Sequence, residues 1–171
     1  ADVLSCTGGF SHATGPTTAN GSISTGGAAG QNISRAALTI GAGDLTLNAG
    51  AAGTISVTGI TTGGGNDLTL TNCASATFTG AVNNVAAFTT TAQPYSVALN
   101  GGGSITGGVL TSFLNTGNVT INGVSFTAGV SSIAAGTNTL LGTVATGGAA
   151  GQNITLDDLT IGLGGVTLNA G

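Results

Sequence analysis

The residue pair with the clearest potential for acid–base chemistry is Asp157-Asp158, the only two adjacent carboxylates in the sequence. Some β-helical polysaccharide hydrolases use paired carboxylates as general acid and general base. Neighbouring side chains of a strand point to opposite faces, so both carboxylates address one bond only where the chain turns. No third carboxylate, Lys or Arg lies nearby in the sequence. We therefore interpret the pair as a solvated turn and expect no catalytic residue.

A second candidate for chemistry is the glycine-rich segment from Gly63 to Leu68, which is similar to part of the calcium-binding nonapeptide GGxGxDxUx. When the two are aligned on Asp67, Thr62 replaces the first glycine and Thr69 replaces the apolar residue. Calcium takes about six to eight oxygen ligands, and the Asp residues of this chain are scattered. Asp67 is kept as a calcium candidate, but we expect neither a metal site nor a cofactor.

His12 and Arg35 are the only histidine and the only positively charged residue of the chain. A metal site needs several ligands at suitable spacing, and His12 has no such partners in the sequence. We therefore expect His12 to be an exposed turn residue. Arg35 is replaced by Leu156 in the second copy of an internal repeat described below, so we expect it at the surface.

The two cysteines, Cys6 and Cys73, would pair in most short secreted proteins. The repeat described below predicts a solenoid with about 24 residues per coil. In such a solenoid the two cysteines lie nearly three coils apart, which is on the order of 13 Å at about 4.8 Å per coil. A disulfide requires Cα atoms within about 7 Å. We therefore predict two buried, unpaired thiols.

The elements that would carry all these residues are very short strands with the pattern apolar-Thr-apolar. We call each three-residue segment with this pattern a word. Alternate side chains of a strand point to opposite faces, so each word places two aliphatic side chains inward and one Thr outward. Glycine-rich corners such as Gly101-Gly102-Gly103 separate the words. The aliphatic positions that we predict to form the core ladder are Leu45, Leu47, Leu68, Leu70, Val119, Ile121, Val166 and Leu168.

The spacing of these words predicts the fold. The chain repeats itself with an offset of 121 residues, since 20 of the 30 positions from Gly21 to Gly50 recur identically from Gly142 to Gly171. A weaker match extends the two copies to residues 3–50 and 124–171, within a single segment of residues 1–171. The words recur about five times in this interval, or roughly every 24 residues, which is typical of a stacked solenoid. We predict an all-β fold, a parallel β-helix with three short strands per coil, and prefer it to a β-sandwich because a sandwich needs no such recurrence.

Composition excludes several classes of protein. The chain has one Arg, no Lys, five Asp and a net charge of −4, so it lacks the basic patch that nucleic acid requires. No apolar run reaches the roughly 18 residues that would insert into a membrane. Glycine accounts for 33 of 171 residues without a three-residue period, which excludes collagen. The apolar content of 40% also argues against disorder.

Three stretches carry a family resemblance: LTLNAGAAGTISVTG from Leu45, DLTLTNCASATFTGAVNN from Asp67 and LNTGNVTINGVSFTAG from Leu114. They resemble the β-helical repeat regions of very large bacterial surface and secreted proteins. These include autotransporter passengers and filamentous-haemagglutinin-like adhesins. The resemblance implies a right-handed β-helix, exported to the cell surface or beyond, that works as a stalk, adhesin or matrix fibre. It transfers no catalytic residue.

The scarcity of charged residues, with no Lys and one Arg, also indicates a fibre-forming function. Soluble β proteins protect open sheet edges with Lys, Pro or caps, and neither end of this sequence shows a polar cap. We expect a fibre, formed by subunits stacking head to tail or by continuation of a longer chain, that is not an enzyme. The alternative is a binding module, either an adhesin face for glycans or host surfaces, or an ice-binding face of outward Thr.

Overall fold

The computed structural model describes residues 3–171, so Asp2 lies outside the described residues. It is an all-β, mostly parallel β-solenoid of about eight turns, and residues 3–171 contain no helix. The strands are β1 Val3–Cys6, β2 Phe10–Thr25, β3 Ile33–Asn48, β4 Thr54–Val57, β5 Thr61–Thr62, β6 Leu68–Asn72, β7 Ser75–Phe78, β8 Val82–Val85, β9 Phe88–Thr90, β10 Ser96–Leu99, β11 Gly103–Ile105, β12 Thr111–Ser112, β13 Val119–Asn122, β14 Val124–Phe126, β15 Val130–Ser132, β16 Asn138–Thr146, β17 Ile154–Leu156 and β18 Leu159–Asn169.

One column of strand pairings runs along nearly the whole solenoid. It begins with Phe10 beside Ile33 and ends with Asn138 beside Leu159, and every pairing is parallel. From Ile33 to Leu159 the column advances by about 21 residues per pairing, whereas the spacing of the words predicts about 24 residues. The sequence therefore overestimates the mean step of this column. The full column is Phe10, Ile33, Ile55, Ala76, Val97, Val119, Asn138 and Leu159.

Two further columns of pairings accompany this one. The second column passes through the middle of β2 and β3 and continues through β5, β8, β11 and β14. The third column begins with β1 and passes through the ends of β2 and β3 to β6 and β9. Because the long strands β2 and β3 continue around corners, most strands join one 15-stranded sheet. Strands β12, β15 and β17 form a separate three-stranded sheet.

The interior is filled by every second side chain of these strands, as alternation predicts. In β3, for example, Ile33, Leu45 and Leu47 are each 1% exposed or less. Four phenylalanines pack along the core with ring centroids 5.7 to 6.5 Å apart, namely Phe78, Phe88, Phe113 and Phe126. Burial of apolar area at about 25 cal/mol per Å² makes this continuous interior the main stabilising feature of the fold.

Most of the aliphatic positions predicted from the sequence lie in this interior, although not in one ladder. Leu45 pairs with Leu68, whereas Val119 pairs with Val97 in a different column. Six of the eight are at most 1% exposed: Leu45, Leu47, Leu68, Leu70, Val119 and Ile121. The other two lie in the last coil, where Val166 is half-buried and Leu168 is 47% exposed because no described strand covers their outer side.

The two copies of the internal repeat occupy different positions around the coil. Ile33 pairs with Ile55 in the large sheet, whereas its equivalent Ile154 pairs with Val130 in the three-stranded sheet. The offset between the copies is therefore not a whole number of coils. The sequence-based coil length assumes that it is, which explains why that length exceeds the observed mean step.

Glycines at one corner allow successive coils to approach closely. Gly59, Gly80 and Gly101 follow β4, β7 and β10, which are paired neighbours in the stack. A Cβ atom added to Gly80 would overlap the backbone of Gly59, and one added to Gly101 would overlap the backbone of Gly80. Only a residue without a side chain fits at this corner.

Candidate functional site

The clearest candidate for a functional site is Arg35, which is the only positively charged side chain of the chain. It lies in β3 two residues after Ile33, and both side chains therefore point inward. Arg35 is 3% exposed, so the expectation of a surface position is wrong. The alternation Ile33-Ser34-Arg35 is the sequence signal that could have predicted the burial of Arg35.

The aromatic ring of Phe10 stacks on the guanidinium group of Arg35. The Cζ atom of Arg35 lies 3.6 Å from the centroid of this ring, a cation–π contact. Phe10 begins β2 and pairs with Ile33, so the register of β2 and β3 sets this geometry. One face of the guanidinium is therefore covered, while its edge carries the N–H donors.

None of the guanidinium nitrogens has a hydrogen-bond partner among residues 3–171. The Nε, Nη1 and Nη2 atoms of Arg35 are all buried and unpaired in this part of the chain. Burial lowers the pKa of Arg35 because it removes water from the charged form, and the nearby Cys6 thiol acts in the opposite direction. A buried, unpaired charge is costly, so this arrangement needs an explanation beyond packing.

A cavity of about 260 Å³ lies beside Arg35 within the first two coils. Its apolar lining includes Phe10, Ile23, Val3 and Leu4, and the last two are 70% and 43% exposed. The polar lining consists of Thr17, Thr18, Asn20 and Ser22. The site therefore combines one cation, an aromatic ring, an apolar wall and several neutral polar groups.

His12 pairs with Arg35 in the strand register but has a different environment. Its side chain is exposed, and its Nδ1 atom lies 3.0 Å from the hydroxyl of Thr17. His12 lies within β2 rather than in the turn that the sequence predicted. No three His, Cys, Asp or Glu side chains of residues 3–171 come together as a group that could hold a metal ion.

The calcium candidate Asp67 lies next to a second carboxylate on the adjacent coil. The Oδ1 atom of Asp44 accepts a hydrogen bond of 2.9 Å from the backbone N–H of Asp67. The side chain of Asn66 donates to the carbonyl oxygen of Gly41 at 2.6 Å. These side chains therefore fasten one coil to the next.

Asp157 and Asp158 form an exposed turn between β17 and β18. The backbone of Asp158 has a positive φ of 41°, and its N–H donates to the Oδ1 atom of Asp157 at 3.0 Å. Their carbonyl oxygens accept hydrogen bonds from Asn138 of the preceding coil. The pair is part of a corner that is bonded to the neighbouring coil.

The two cysteines are free thiols, with Cys6 half-buried and Cys73 buried. Cys6 pairs with Thr25. Ser24, which precedes Thr25, pairs with Asn48, and Asn48 pairs with Asn72, which precedes Cys73. Three steps of the stack therefore separate the two thiols. Burial raises the pKa of Cys73 to about 12.

Comparison of the chain with protein-family models, with curated proteins and with solved structures finds no match. No helix in residues 3–171 is long and apolar enough to cross a membrane.

Proposed function

We propose that this chain is a fibre-forming structural segment of an extracellular or bacterial cell-surface repeat protein. In the proposed fibre, the coils of the solenoid continue into a second copy, stacked head to tail, or into further coils of a longer chain. The proposed coil is right-handed, as the resemblance implies, and has three short strands. Its length is close to the observed step of about 21 residues rather than the roughly 24 residues that the spacing of the words implies. The segment serves as a stalk, adhesin or matrix filament and carries out no catalysis.

The observation that carries this proposal is the surface of the last coil. Leu159 and Ile161 are 45% and 51% exposed, yet they continue columns of buried residues. Leu159 follows Val119 and Asn138 in register, and Ile161 follows Leu140. Each of these preceding residues is fully buried. The end surface is thus a cross-section of the core, and another coil of the same kind would cover it.

The edges of the strands support the same proposal. In residues 3–171, β1 pairs only with β2, and β18 pairs only with β16. Each therefore presents a row of N–H and C=O groups to an incoming parallel strand. No Lys is present to oppose edge-to-edge pairing. Exposed apolar residues also mark the first coil, where Val3 is 70% exposed.

The first test is electron microscopy of the purified protein with helical averaging. We expect rods with a layer line near ~4.8 Å, the spacing of paired strands. Ile161→Asp places a charge on the end surface, and we expect it to shorten or abolish the rods. Thr120→Asp is the matched control because Thr120 points outward from the middle of the stack. Discrete particles of wild-type protein, or rods unaffected by Ile161→Asp, would count against fibre formation through this surface.

A binding face for glycans or another ordered surface is the second candidate function. It is favoured by an outward column of hydroxyl side chains in register, formed by Ser22, Thr46, Thr69 and Thr89. An ice-binding face would use two outward Thr residues in every strand, whereas in this column only β6 offers a second Thr, namely Thr71 two residues after Thr69. Thr69→Lys would weaken binding to such a surface without affecting rod formation, and equal binding by this variant would exclude the column as the contact.

A further inference from the structure

We propose that the cavity beside Arg35 binds a small organic monocarboxylate, with the Arg35 guanidinium as the anion-binding group and Phe10 as its aromatic support. This inference does not rest on the proposed fibre, since the cavity lies within the first two coils of one chain. It is tested on unassembled protein, because a coil stacked on the first coil would cover Val3 and Leu4.

The guanidinium of Arg35 borders the cavity and carries the donors that carboxylate recognition requires. A carboxylate accepts two parallel N–H donors from the edge of a guanidinium, in its plane. Phe10 lies over one face of the group, so it does not compete for this edge. All three nitrogens are buried and unpaired among residues 3–171. The donors are thus desolvated and held in place before any ligand arrives, which reduces the entropy cost of binding.

Charge and size restrict the class of ligand. Arg35 supplies one positive charge and the cavity lining supplies no other, so a monoanion is neutralised whereas a dianion leaves a buried negative charge. The cavity volume of about 260 Å³ is many times the ~10–15 Å³ that one water molecule needs on the same measure. A lone acetate would leave most of this space empty. The ligand therefore carries an apolar body.

The lining of the cavity accommodates such a body. Ile23 and Leu4 provide an apolar wall, and Thr17, Asn20 and Ser22 provide neutral polar groups. Because Val3 and Leu4 are partly exposed, the first coil offers a path of entry. An aromatic or short branched carboxylate matches this combination of one cation and an apolar surface.

A carboxylate also directly precedes the cavity-lining residue Val3 in the sequence. Asp2 precedes Val3 in the sequence and lies outside the described residues. If the carboxylate of Asp2 occupies the site, an added ligand binds only after Asp2 is changed. The experiment must therefore distinguish an external ligand from this residue.

The test is a titration of the whole chain with benzoate at constant ionic strength, followed by isothermal titration calorimetry and NMR. Benzamide is the matched neutral ligand, and inorganic phosphate is the control for a simple ion. We expect benzoate to bind at least about tenfold more tightly than benzamide or phosphate, and Arg35→Leu to remove that preference. Leu is the natural residue at the equivalent position 156, and circular dichroism shows whether the variant folds. If it does not fold, Arg35→Lys, which keeps the charge without the planar pair of donors, serves instead and is expected to bind benzoate about tenfold more weakly.

Three results would overturn the proposal. Equal affinity for benzoate and benzamide would show that Arg35 does not select an anion. Benzoate binding that is unchanged in both Arg35 variants would place the ligand elsewhere. Binding seen only after Asp2→Asn would show that the cavity is filled by the chain's own carboxylate and takes no external ligand.

Discussion

The hydroxyl group of Tyr95 donates a hydrogen bond of 2.8 Å to the backbone carbonyl oxygen of Leu70, which lies one coil earlier in the stack. The phenol oxygen of Tyr95 also accepts a hydrogen bond of 2.9 Å from the backbone N–H of Thr91. Tyr95 is fully buried, and it links the corner at residues 91–95 to the middle of β6. A single phenol therefore bonds to two backbone groups inside the solenoid.

We predict that Tyr95→Phe lowers the free energy of unfolding by about 1–3 kcal/mol, since it removes the phenol from both backbone groups while keeping the ring. Urea unfolding followed by circular dichroism measures the change. The ring volume is nearly conserved, so a cavity contributes little to this loss. Stability equal to that of the wild-type protein would mean that water or another group satisfies the two backbone groups.

The corner at residues 91–95 separates β9 from β10, and here the register predicted from the sequence differs from the observed register. The core ladder predicted from the sequence contains both Leu68 and Val119. In the structure, Leu68 pairs with Phe88, whereas Val119 pairs with Val97 in another column. Apolar-Thr-apolar words occur in more than one column, so the words alone do not reveal which column a strand joins. The alternation within each strand is nevertheless sufficient to predict inward aliphatic residues and a parallel solenoid.

Burial at the ends of the stack depends on neighbouring coils rather than on local sequence. Leu47 and Leu168 occupy the same place in the nearly identical words LTLNAG and VTLNAG. Leu47 is 1% exposed and Leu168 is 47% exposed, because coils flank the first on both sides and the second on one side only. The prediction for Arg35 failed for a different reason: its replacement by Leu156 in the second copy suggested a surface position, while the alternation with Ile33 places it inside.

A comparison of Leu70→Ala with Leu168→Ala measures this difference in burial. Leu70 is fully buried, so we expect its truncation to cost about 2–5 kcal/mol, including the cavity that remains. For Leu168 in dilute, unassembled protein we expect a loss below about 1 kcal/mol. Similar losses at both positions would show that another segment already covers the last coil. Leu70→Asp places an unpaired charge in the core, and we expect it to abolish folding.

The glycine corner gives a prediction with a closely matched control. The added Cβ atom of Gly80→Ala would meet backbone atoms of Gly59 and Ile60 well inside 3.0 Å. Because backbone atoms cannot move aside without separating two coils, we expect a loss of about 1–3 kcal/mol in the free energy of unfolding. In Gly43→Ala the added atom meets nothing within 4 Å, and the backbone has no positive φ. We expect thermal and urea unfolding of this control to be unchanged within about 0.5 kcal/mol, and equal losses in both variants would contradict the close approach at the corner.

The buried thiol of Cys73 predicts a loss of stability in alkaline solution. Burial raises its pKa from the ordinary 9.0 to about 12, so the folded protein keeps a proton that the unfolded chain releases. Between about pH 9 and 12 the unfolded state therefore binds fewer protons, and this one group lowers the free energy of unfolding by about 1.4 kcal/mol per pH unit. Below pH 9 both states hold the proton, and the contribution is constant. Burial likewise raises the pKa of Tyr95, which acts in the same direction.

Urea unfolding at several pH values measures this effect. Cys73→Ala changes the stability at neutral pH through packing, so the quantity compared is the slope above pH 9, which we expect to be shallower than in the wild-type protein by about one proton. Cys6→Ala keeps the buried thiol of Cys73 and serves as the control for the loss of a cysteine elsewhere in the chain. If Cys73→Ala keeps the wild-type slope, the thiol ionises as readily in the folded protein as in the unfolded chain. The column of side chains between Thr25 and Cys73 would then be open to water.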